Sequence, residues 1–227
     1  MNLRHRLWGA PRSSLFWIFF VCSWGTTHAA FATSDVTFEQ DPILFVIHPY
    51  KGWDYLESAK SALKEVVASA QSERIPFVYV LDSQAPVYLA EQKPTFSLMA
   101  PVGQFPNIVS GKNISLVGGN WGFCLSNALG SILSNQSRDN VKVTILTDAT
   151  FIFREARSLS GYLKALNDDA RTQELENEFQ TVVDRWLKGQ YCLTVAYEGT
   201  TVAKTKGDCM HDAAISLVHG TNLATEP

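Results

Sequence analysis

The chain has 227 residues, a formal net charge of −3 and 46% hydrophobic residues, a balance that supports a well-buried globular core. Its acidic excess, with no run of basic residues interleaved with aromatics, argues against a nucleic-acid or anionic-membrane surface. No internal repeat or low-complexity segment stands out.

Residues 1–32 have the three-part layout of a secretory signal: Arg4, Arg6 and Arg12, an apolar run from Leu15 to Trp24, and small residues ending at Ala32. That run is about ten residues, against roughly 20 for a membrane-spanning helix. Cleavage after Ala32 is therefore expected, with an uncleaved anchor as the alternative, and the product would be periplasmic or secreted. The leader holds three arginines and no acid, so its loss takes the charge from −3 to −6 and leaves 195 of 227 residues as one domain, 33–227.

Along the mature chain, "ILFVI" at 43–47 predicts a strand buried on both faces. Leu56, Ala59, Leu63, Val66, Val67 and Ala70 recur at helical spacing and predict a helix over 53–73. "IPFVYVLD" at 75–82 is a second strand, making a parallel βαβ unit whose sheet is covered on both sides. Residues 83–112 read as a long loop with at most a short helix.

The alternation continues with a strand at 114–119, a helix at 123–135 and a strand at 141–150, then helices over 155–166 and 169–188. Two strands about a Glu198-Gly199-Thr200 turn and a helix near 210–219 complete the chain. The fold class is thus α/β with a mostly parallel sheet and a C-terminal hairpin.

Without the leader three cysteines remain, Cys124, Cys192 and Cys209, an odd number for an oxidising compartment. The hairpin returns Cys209 towards Cys192, and closing that loop stabilises by roughly 3 kcal/mol if the two pair. Cys124 is then free. It follows "GGNWGF" at a strand-to-helix turn, where ligands of parallel sheets gather. Gly118, Gly119, Asn120, Trp121 and Gly122 form the expected ligand or oxyanion loop, since unpaired N–H groups at a helix start favour negative charge. The same position is expected to lower the thiol pKa. A packed, inert cysteine in a glycine-rich turn is the alternative.

The strand "ILFVIHPY", the strand "IPFVYVLD", the stretch "LVGGNWGFCLSNA" and "VTILTDAT" together resemble the isochorismatase-like cysteine hydrolases, a superfamily that includes nicotinamidases, over Ile43 to Thr150. The resemblance implies a three-layer α/β sandwich and a nucleophile at Cys124, helped by an aspartate after the first strand and a lysine from a later loop. His48 stands where that aspartate belongs, and Tyr50 where a polar residue, commonly glutamine, follows. Lys93 matches the lysine, closer to the cysteine than the family pattern has it. The histidine cluster by which nicotinamidases bind metal has no counterpart, so neither metal nor other cofactor is expected.

Two readings of His48 stay open: a general base paired with Cys124 for hydrolysis of a small amide or related acyl substrate, or loss of that chemistry with the fold kept to bind a small molecule or an extracytoplasmic protein. Asp148 is expected to cap a turn or helix, and His211, Asp212 and His219 to lie on the surface. The triplets at 113 and 135 fit a glycosylation acceptor pattern.

Overall fold

Five consecutive apolar residues, all fully buried, need an element covered on both faces, and Ile43–Ile47 meets that need as the middle of a parallel sheet. The computed structural model describes residues 36–37, 41–51, 57–89, 91–99, 108–109, 112–134, 140–153, 155–205 and 209–223. The leader, the expected helical start at 53–56, the triplet asparagine at 135 and most of 100–111 lie outside them.

The strands are β1 (Val36–Thr37), β2 (Ile43–Ile47), β3 (Phe77–Leu81), β4 (Phe96–Met99), β5 (Ile108–Val109), β6 (Asn113–Gly118), β7 (Val141–Ile152), β8 (Arg157–Ser158), β9 (Tyr191–Tyr197), β10 (Thr200–Lys204) and β11 (His211–Val218). The helices are α1 (Glu57–Glu73), α2 (Cys124–Ser134), α3 (Leu159–Ala165) and α4 (Asp168–Val182), the last running into a π-helical turn at Val183–Leu187.

The main sheet runs β10-β9-β11-β7-β6-β2-β3-β4, with β8 paired to β7 and a separate parallel pair of β1 and β5. Among the described strands only β10 and β8 run antiparallel to their neighbours. The β9–β10 turn has positive φ at Glu198 (48°) and Gly199 (77°), the backbone that lets a two-residue hairpin follow the strand twist.

Alternation sorts the side chains. Leu44, Val46, Tyr79 and Leu146 pack with α1, whereas Ile43, Phe45, Ile47 and Ile145 pack with α2, α3 and α4 on the other face. The three-layer α/β sandwich with its C-terminal hairpin is present. Covering of both faces holds for the central strands alone, because β9 alternates buried positions with half-buried or exposed ones, as does β11 over Ala213–Val218.

Three segments depart from the expectations. The helix near 210–219 is instead β11, a strand between β9 and β7 that is buried on one face; its buried Ala213, Ile215 and Leu217 follow a period of two, which the adjacent alanines disguised. The loop 83–112 contains β4, an edge strand with one buried residue, Leu98, and hence almost no alternation to read. The helix over 155–166 begins at Leu159, after Ser158 has paired in β8 and capped α3 by accepting from the Gly161 N–H.

Cys192 and Cys209 form a disulfide, with Cα atoms 5.4 Å apart, and among the described residues Cys124 is the free cysteine. The bond ties the start of β9 to the residues entering β11, across a separation of 17 residues. Chain entropy predicts that replacing both cysteines by alanine lowers unfolding free energy by about 3 kcal/mol. Urea denaturation of the double variant should show this loss with the circular dichroism spectrum of the native state unchanged.

Candidate functional site

The chain passes from β2 to β3 and β4 on one side and reaches β6 on the other, so the crevice outside the carboxyl ends of β2 and β6 is the topological switch point, where ligands of open parallel sheets bind. His48 leaves β2 there, and the turn 118–123 leaves β6 there. The sheet brings these two predicted elements together.

Gly118 makes that approach possible. Its φ is 97°, and a Cβ at this position would overlap the Ile47 carbonyl on the neighbouring strand. The next peptide, Gly119–Asn120, is cis. Gly119 N–H donates to the Ile47 carbonyl (3.0 Å) and Trp121 N–H to the Phe151 carbonyl (2.8 Å). The Asn120 carbonyl accepts from the Phe123 and Leu125 N–H groups, and its side-chain oxygen from Phe153 N–H. Four amides of the expected oxyanion loop and helix start are therefore spent within the protein.

Cys124 opens α2 but is 6% exposed. Burial pushes its thiol pKa up; a backbone hydrogen bond from Asn120 opposes the rise and the charge of Asp82 adds to it. This reverses the expectation of a lowered value from the helix terminus alone.

His48 is 1% exposed and takes a positive φ of 47°. Its ring stacks on Tyr50 with centroids 5.6 Å apart, and its Nε2 lies 3.8 Å from Asp82 Oδ2. Burial lowers the histidine pKa, with Asp82 opposing, so the neutral imidazole is favoured. Tyr50 fixes the carboxylate: its hydroxyl donates to Asp82 Oδ1 (2.8 Å) and accepts from the Asp82 and Ser83 N–H groups (2.7 and 2.9 Å). Asp82 went unrecognised in the sequence, although a carboxylate ending the strand beside β2 was the available signal.

Lys93 does not join this group. Thr95 N–H bonds to the Phe77 carbonyl, which puts the preceding lysine near the amino end of β3, exposed. The five residues of β3 separate it from the His48 end by about 16 Å at roughly 3.3 Å per residue.

A cavity of about 470 Å³ lies beside the turn. Trp121 and Phe123 from the turn, Phe153 after β7, Tyr162 from α3 and Glu174 and Glu178 from α4 contribute to its wall; neither Cys124 nor His48 does. Burial raises the Glu178 pKa, the Ser126 hydroxyl that donates to it opposes the rise, and Glu174 adds to it.

Asp148 accepts from Gly220 N–H (2.8 Å) and so caps the turn after β11, with His219 Nδ1 3.4 Å from the same carboxylate. Its burial acts to raise the pKa, but hydrogen bonds from Ser160 and Gly220 and the His219 charge outweigh this and hold it low. His219, expected on the surface, is half-buried against Tyr197 and Thr147. Among the described residues no three His, Cys, Asp or Glu side chains gather as a metal site.

No protein-family model matches the chain, and neither the curated proteins nor the solved structures gave a match.

The switch crevice yields two tests. Gly118→Ala should lower unfolding free energy by at least about 2 kcal/mol in urea, because the added methyl meets backbone and the φ is unfavourable. His48 has a folded pKa below the ordinary histidine value of about 6.5, so its contribution to stability is present above that pH and is lost as pH falls towards the folded pKa. Urea midpoints measured from pH 8 downwards should fall accordingly, and His48→Gln should flatten that dependence.

Proposed function

We propose that the chain is an exported, non-catalytic binding protein that holds a small molecule in the cavity beside the 118–123 turn. One observation carries the reading: the two side chains that would do chemistry, His48 and Cys124, are buried, while the cavity beside the turn is lined by other residues. Export is part of the proposal, supported by the three-part leader and by the Cys192–Cys209 disulfide.

The isochorismatase-like ancestry suggested by strand order and the glycine-rich turn is compatible with this reading, in which the fold persists after its chemistry is lost. Replacement of the expected aspartate by His48, engagement of the turn's amides and the distant Lys93 all support the loss.

A cysteine hydrolase is the second reading, favoured by a specific feature: the Asp82 charge acts on both His48 and Cys124, so the three groups share one neighbourhood. The two are separated by iodoacetamide labelling across pH. A binding protein should show Cys124 alkylating slowly, with a midpoint above that of an ordinary thiol. Rapid labelling near neutral pH, or Cys124-dependent hydrolysis of p-nitrophenyl acetate, would replace binding by catalysis.

The cavity itself is tested by thermal shift against a small-molecule library. A ligand that raises the melting temperature should act equally on Cys124→Ser and lose its effect in the Phe123→Ala/Phe153→Ala double variant, whose replaced rings are 49% and 64% exposed.

A further inference from the structure

Most polar groups on the cavity's wall are matched within the protein. Arg157 pairs with Glu155 at 2.6 Å and lies over the Tyr162 ring, the Tyr162 hydroxyl donates to Glu174, and the Ser126 hydroxyl donates to Glu178. Each carboxylate of the wall therefore has a partner, and the face of Tyr162 is covered. Trp121 is 6% exposed and stands edge-on to Phe179 behind it, with ring centroids 5.7 Å apart.

The apolar part of the wall is different. Phe123 is 49% exposed and Phe153 64% exposed, and both line the cavity. They are two of the five large apolar side chains that stand exposed among the described residues, brought together from the entry to α2 and from the chain leaving β7. Asn120 holds both backbones: its carbonyl accepts from the Phe123 N–H (3.1 Å) and its side-chain oxygen from the Phe153 N–H (2.9 Å). Trp121 N–H adds a bond to the Phe151 carbonyl (2.8 Å), so the turn is paired with the end of β7. An exposed phenylalanine standing alone needs no explanation, but two carried by fixed backbone on one concave wall mark a contact surface.

The chemistry of the wall narrows what it contacts. Aromatic rings attract other rings, offset or edge-on, beyond the gain from burying apolar area, whereas a saturated molecule gains the burial alone. Glu174 and Glu178, four residues apart on α4, face the same space and repel an anion. The volume of about 470 Å³ lies within the usual range of small-molecule sites.

We infer that the cavity takes a planar aromatic molecule without negative charge, held against the Phe123 and Phe153 rings. This inference rests on the binding reading above and names its ligand class.

The test uses the mature protein and three probes of similar outline: 2-naphthalenemethanol, its saturated counterpart decahydro-2-naphthalenemethanol, and the anion 2-naphthoate. Calorimetry measures affinity, and nuclear Overhauser contacts from the ligand's ring protons locate it. 2-Naphthalenemethanol should bind saturably, with contacts to the Phe123 and Phe153 ring protons, assigned through single leucine variants. Phe123→Leu and Phe153→Leu keep apolar bulk and remove the ring, and each should weaken binding by about fivefold. The saturated probe and the anion should each bind about tenfold more weakly than the aromatic alcohol. Both replaced side chains are exposed, so loss of folding is not the expected outcome.

Equal affinity for the saturated probe, or leucine variants that bind like the native chain, would overturn the ring preference. Equal affinity for naphthoate would overturn the limit on charge, and contacts confined to other residues would overturn the assigned site. If the aromatic alcohol fails to bind while the thermal-shift library yields a ligand that depends on the two phenylalanines, this ligand class falls and the binding reading stands. No binding in either experiment overturns both.

Discussion

The contact on which the site depends is backbone against backbone, where Gly118 passes the Ile47 carbonyl at the ends of β6 and β2. A side chain there would force the two strands apart just where the sheet changes direction. Because the glycine allows the approach, its neighbour donates back to Ile47, the turn closes over the strand end, and α2 starts immediately. The register between β6 and β7 adjusts to it: from Leu116↔Ile145 to Gly118↔Thr150, β6 advances two residues while β7 advances five. The extra length in β7 carries Asp148 out to cap the turn after β11 and takes Phe151 and Phe153 to the amide and side chain of the turn.

Burial decides the chemistry of the same turn. A helix terminus offers a nearby charge about 0.3–1 kcal/mol, and up to about 2 in favourable geometry. One pKa unit is about 1.4 kcal/mol, and burial can move a group by several units. With Cys124 only 6% exposed and Asp82 nearby, the sum goes against the thiolate. The same argument applies to His48, whose burial outweighs the attraction of a carboxylate 3.8 Å away. Position at the switch point is a necessary condition for a nucleophile, and access to solvent or ligand is the further one.

Much of this architecture was legible in the residues because hydrophobic period reports burial directly. The continuous run at 43–47, the helical stripe of α1 and the alternation of β9 each have one structural solution. The disulfide followed from the Glu198-Gly199 turn by simple reach. Segment 211–218 was misread because its alternating core is made of Ala, Ile and Leu, residues that also suit a helix, and its place between two strands is a long-range fact. Asp82 was missed for a related reason: its meaning comes from Tyr50, 32 residues away, whose hydroxyl holds both its amide and its carboxylate. Burial of Cys124 could not be read from a motif that describes only its neighbours in the chain.

These features also place the cavity to one side of the expected crevice. His48, Tyr50 and Asp82 fill the outlet of β2 and β3 with stacked rings and a hydrogen-bonded carboxylate, and on the β6 side the Gly119, Trp121, Phe123 and Leu125 amides are engaged. The turn then offers its other flank, towards the extended end of β7. There α3 and α4, packed on the same sheet face as α2, supply Tyr162, Glu174 and Glu178. Close packing of α2 keeps that arrangement in place, since Gly130 has no side chain and lets the Trp186 ring sit directly on the helix. With the strand-end crevice filled in this way, the glycine-rich turn carries its cavity on the flank towards Phe153, Tyr162 and Glu178.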